Sequence, residues 1–131
     1  MLHEFDPVIY PFRVWVAVKP KVEDVDAKFY NLDTEMNRIP VTADYFYKNQ
    51  FSVATTYPME DKESGALGCL IAIWRPKDFD CGKIAHEASH VTDYLCEVLG
   101  VNGFTLESGE ARAYFLGWVA DCIDKVKKGK V

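Results

Sequence analysis

Histidine is scarce in this chain: three residues in 131, at positions 3, 86 and 90. The four cysteines (Cys69, Cys81, Cys96, Cys122) are scattered with no C-x-x-C spacing, which argues against a cysteine-based zinc site and against a disulfide framework. They read as small buried hydrophobes. No apolar run approaches the roughly 18 residues of a membrane span. The N-terminus, Met1-Leu2-His3-Glu4-Phe5-Asp6-Pro7, has no basic region followed by an apolar one and so does not read as a signal peptide. A cytoplasmic protein is expected. Positive charge is also short: the formal net charge is −5, which excludes a general nucleic-acid binder because a phosphate backbone demands a basic surface. The one basic cluster, Lys125-Val126-Lys127-Lys128-Gly129-Lys130, suits the C-terminal end of a helix, where cations offset the dipole. No internal repeat, low-complexity segment or linker is visible, and 131 residues with 49% apolar content fit one domain with its own core.

Two of the three histidines fall in one pentapeptide, His86-Glu87-Ala88-Ser89-His90, an H-E-x-x-H sequence. Residues four apart share a helix face, so both imidazoles can close on one ion, with Glu87 one step round beside a metal-activated water. Helical phasing of the surroundings agrees. Ile84, Ala88, Val91, Leu95 and Val98 form an apolar stripe, while His86, His90, Asp93 and Glu97 form a polar one. Asp78 or Asp80 can cap the start, and Gly100 suits a left-handed end. Asp93 is either a support for a ligand or an ordinary solvated carboxylate.

Ahead of this helix, residues 8–18 are rich in β-branched and aromatic types. After Pro11 they read as a strand, covered on both faces or central in its sheet, and closed by Lys19-Pro20. Val22, Val25 and Phe29 at helical spacing suggest a short helix near residues 21–30. The aromatic run Tyr45-Phe46-Tyr47 is read as packing under a loop, with a substrate-facing lip as the other reading. Residues 51–57 and 66–74 read as two strands of an antiparallel hairpin around the polar turn at 60–65. After the motif, a second long helix is expected from about residue 105 or 108 to 128. Its core stripe is Ala111, Phe115, Val119, Cys122 and Val126, and Gly117 is expected to allow close packing on the histidine-bearing helix. The expected fold is α+β: a small twisted, mostly antiparallel sheet of three to four strands packed on two C-terminal helices, in a single domain spanning 1–131, with the metal between those helices.

A catalytic zinc site needs a third protein ligand. His3 stands at a terminus far from the motif. The metzincin continuation fails, because Asp93 and Cys96 occupy the positions that would need Gly and His. A carboxylate from the second helix remains: Glu110, with small alanine neighbours, or Glu107 one turn earlier. Glu110 is preferred.

H-E-x-x-H on one helix and a Glu on the next resembles the gluzincin metallopeptidases. At this length the chain is similar to the small zincin-like peptidases of phages and prophages. The resemblance covers mainly residues 80–124. It implies that His86, His90 and Glu110 hold Zn²⁺, that Glu87 is the general base, and that the strand at 66–74 is an edge that binds an extended peptide. It implies a zinc-dependent peptidase acting on a peptide or protein substrate. Departures exist: Tyr114 stands where the clan often has Asn or Asp, and no C-terminal His is available as an oxyanion donor. Tyr114 or Arg112 is a candidate helper there, each with a plainer role open to it, in the core or as a solvated charge. The rival reading is a zinc-stabilised scaffold or binding module of the same fold without catalysis.

Overall fold

The computed structural model describes the backbone of residues 1–101 and 105–131, and the side chains of the same residues except 106–108. Strands β1 (Leu2–Phe5) and β2 (Arg13–Val18) lead to helix α1 (Val22–Lys28), then β3 (Phe29–Leu32) and β4 (Arg38–Ile39). Helix α2 (Ala43–Tyr47) is followed by β5 (Ala54–Asp61) and β6 (Leu67–Ile73), and the long helices α3 (Cys81–Leu99) and α4 (Leu106–Lys127) complete the chain. The strands form one sheet in the order β1-β2-β6-β5-β3-β4. All neighbours are antiparallel except β2 and β6, which run parallel.

β2 and β6 explain the layering. Both are apolar at successive positions, so both faces of the sheet must be covered. Val14 and Val16 with Cys69, Ile71 and Ile73 pack under α3 and α4. Trp15 and Ala17 with Leu70, Ala72 and Trp74 pack on the other face, with Val22 and Val25 of α1 and Phe46 of α2. Gly68 lies at the β2–β6 contact, where an added Cβ would strike the carbonyl oxygen of Arg13.

The fold is α+β and ends in two helices, as expected, but the sheet has six strands among the described residues rather than three to four. The additional strands are short. β1 carries a mixed, terminal sequence. β3 lies where a helix and then a loop were expected, and β4 has only two residues. β3 depends on β5, distant in sequence, and β1 and β4 are too short for their own pattern to announce them. The expected hairpin is present with its first strand displaced to 54–61. Two packing expectations are overturned. The strand at 66–74 is not an edge, since β6 lies between β2 and β5. Gly117 is exposed and has nothing within 4 Å of where a Cβ would stand, so it does not mediate the helix contact. The aromatic run forms α2, with Phe46 buried and stacked on Tyr57 at 4.9 Å.

Candidate metal centre

α3 is fixed at both ends by local chemistry. The Asp80 carboxylate accepts from the Lys83 N–H at 3.1 Å, and Gly100 adopts φ 69° at the other end. Its apolar stripe (Ile84, Ala88, Val91, Leu95) is buried on the sheet. The polar residues fall on two flanks, because each step turns the helix by about 100°. One flank carries Ser89 and Asp93 towards α4; Arg112 of α4 donates to Asp93 at 2.6 Å and to Ser89 at 3.4 Å. The other flank carries His86, Glu87, His90 and Tyr94 towards β5.

On that second flank the two imidazoles converge. His86 Nε2 and His90 Nε2 stand 3.1 Å apart, with ring planes at 84°. Glu87 Oε2 is 3.7 Å from His86 Nε2. The histidines are exposed, whereas Glu87 is only 7% exposed and accepts a hydrogen bond from Thr56 Oγ1 at 3.1 Å. Burial pushes the Glu87 carboxyl above its ordinary value; the Thr56 hydroxyl and the nearby histidines pull it part of the way back. Among the described residues, one group of metal-ligating side chains has its ligand atoms all within 4.8 Å of one another: His86, Glu87 and His90. The spacing fits a metal. Two nitrogens bound to one zinc ion at near-tetrahedral angles stand roughly 3.3–3.4 Å apart, close to the 3.1 Å seen here.

No protein-family model, curated protein or solved structure matches this chain. What can be said of its chemistry therefore comes from the residues themselves. The pocket around the group is lined by α3 and β5, with Asn49 and Ser52 from the segment between α2 and β5, and by Thr55, Thr56, Pro58, Cys69 and Tyr94. No described residue of α4 lines it. The metal was expected between the two long helices; the histidine group instead faces β5. α4 packs against the Ser89 flank, while the imidazoles point to the flank that faces β5.

The other expected residues are found elsewhere. Glu110 is exposed on α4 and outside the His86, Glu87 and His90 group. The side chain of Glu107 lies outside the described residues. Tyr114 is 74% exposed and lines a separate apolar groove with Pro7, Ile9, Tyr10 and Trp118. Arg112 is an interhelical tie and Asp93 is its ion-pair partner. Three residues at the site had not been singled out: Thr56, Asn49 and Tyr94. Tyr94 continues the 86, 90 spacing by one more turn. Thr56 is signalled by alternation in β5, whose large apolar residues Tyr57 and Met59 occupy the opposite face.

Proposed function

We propose that this protein is a zinc-dependent peptidase in which His86 and His90 hold the metal and Glu87 is the general base. The observation that carries the reading is the buried, Thr56-bound carboxylate of Glu87 beside two imidazole nitrogens 3.1 Å apart. A bound zinc ion would lower the pKa of its water towards ~7 and polarise the scissile carbonyl. Glu87 accepts the proton of the attacking water and returns it to the departing amine, a transfer its raised pKa favours. Thr56 holds that carboxylate towards the cleft.

The cleft also offers a place for a peptide main chain. β5 pairs with β6 along 54–60, but with β3 only at 59–61. Residues 54–58 thus present an outer edge with no paired strand among the described residues, beside Glu87, and an extended segment can add there as a further strand. This role belongs to β5, not to the buried β6. Of the third ligands expected on α4, Glu110 lies outside the group and would have to come round from the Ser89 flank of α3; Glu107 is the other candidate.

A second reading has one observation in its favour: Glu110 does not join the described group. Two histidines without a third ligand would bind metal weakly and make a zinc-stabilised module that cleaves nothing. Elemental analysis after zinc loading separates these readings when paired with hydrolysis of a peptide library. The peptidase reading expects one zinc per chain, lost in His86→Ala and in His90→Ala, together with zinc-dependent cleavage. Stoichiometric zinc with no cleavage of any peptide would select the module instead, and no zinc at all would end both.

A further inference from the structure

The cleft is not the same at its two ends. α3 runs alongside β5 in the same direction. His86 and Glu87 lie by Ser52, Val53, Ala54 and Lys83, while Tyr94 lies by Pro58 and Cys69. At the Tyr94 end stands the β3–β4 hairpin. β3 is antiparallel to β5 and last pairs with it at Asn31↔Met59, so the hairpin tip, residues 33–37, leaves the sheet level with the end of the free β5 edge. There Met36 crosses to α3 and its Sδ accepts from the Tyr94 hydroxyl at 3.3 Å.

The tip is a built feature. Asp33 accepts from the backbone N–H groups of Glu35 and Asn37, each at 2.8 Å, and from the Asn37 side chain at 3.2 Å. Met36 has φ 65°, a left-handed conformation that a side chain other than glycine's adopts at a cost. The surrounding Asp33 bonds hold it there, against Tyr94.

We infer that this hairpin is an end wall of the cleft, and that the site takes the amino end of an extended peptide rather than the middle of a long chain. The inference rests on the peptidase reading above. Glu87 is bonded to Thr56, and β3 occupies the strand edge from Met59 onward. At ~3.3 Å per residue, only about two or three substrate residues fit between the reacting bond and the wall. Among the described residues, the other end, past Ser52 and Val53, has no such strand. Strand pairing selects the direction. β5 runs from Ala54 towards the wall at Met59, so a segment added antiparallel to its edge has its amino end at the closed end.

The test uses the zinc-loaded full chain and one unstructured peptide in three forms: free amino terminus, acetylated, and extended by four amino-terminal residues. Fragments of two or three residues are expected from the free form, with at least a tenfold slower release from the other two. Met36→Gly, which suits the left-handed backbone and removes the side chain that closes the wall against Tyr94, should restore cleavage of the extended form at least tenfold. A readout independent of turnover is the methyl signal of Met36 in Glu87→Gln: it should move with the free peptide and stay with the extended one, while buried Met59 stays in both. Equal cleavage at interior positions with long flanks, or an unmoved Met36 methyl, overturns the end wall and leaves the peptidase reading standing. Failure to cleave any peptide overturns that reading and this inference with it.

Discussion

The two flanks of α3 are both polar and both face a neighbouring element, yet they do different things. On the α4 side the polar groups have protein partners: Asp93 and Ser89 accept from Arg112 of α4, and Thr92 Oγ1 donates to the Ala88 carbonyl of its own helix at 2.7 Å. The first two tie one helix to the other. On the β5 side the imidazoles point at each other, and a carboxylate is buried with a single hydroxyl donor. Burying a carboxyl raises its pKa, the two histidines offset only part of that, and the group contributes nothing to packing that Met or Leu would not do better. Polarity alone does not mark a functional face. What distinguishes the β5 flank is that its polar groups are directed at a common point in an open cleft.

The largest expected effect separates these flanks by activity. Glu87→Gln keeps the shape and the Thr56 contact but removes the base, so peptide hydrolysis should fall by roughly 10²–10⁴-fold while zinc stoichiometry is retained. Turnover equal to that of the unaltered chain would sink the proposed mechanism, and loss of zinc in this variant would make Glu87 a ligand instead of a base.

Much of α3 is legible in sequence because its determinants are local. The Asp80 cap, the Gly100 stop and the Ile84, Ala88, Val91, Leu95 stripe all lie within the helix or one residue beyond it. The histidine pair and Glu87 follow from the same periodicity. Which neighbour covers which flank is another matter. α4 was expected to face the imidazoles, and instead it meets Ser89 and Asp93, because the register of two packed helices depends on contacts across α3, α4 and β2 together. Thr56 stayed hidden for a related reason. With the first hairpin strand read as 51–57 instead of 54–61, its facing could not be assigned to α3. The open edge likewise emerges only from strand order, since β6 is flanked by β2 and β5, and nothing local in residues 66–74 announces that.

The structural flank should answer to stability and not to metal. In Asp93→Ala, Arg112 loses its 2.6 Å ion-pair partner, while the Arg112 side chain is 18% exposed and that of Asp93 46%. Solvent screening at the exposed carboxylate keeps the cost to about 1 kcal/mol. For a domain of this size that is roughly 3–5 °C in Tm by thermal denaturation. Zinc affinity should be unaltered; a parallel loss of zinc would break the separation of the flanks.

The smallest effect concerns the cap that supports both. Asp80 is held below the ordinary carboxylate range first by the Lys83 amine at 2.9 Å and then by the Lys83 N–H. A carboxyl whose folded pKa is depressed contributes stability above its unfolded value, and that contribution is lost as pH falls through the folded one. The window therefore lies below about pH 4. Asp80→Asn keeps an acceptor for the N–H and removes the titration, so its stability deficit against the unaltered chain should be small at pH 7 and shrink as acid is added. Chemical denaturation at pH 7 and pH 3 measures that change. A deficit that stayed constant between them would show that the cap acts through its hydrogen bond alone, with α3 and both of its flanks indifferent to the charge at its first turn.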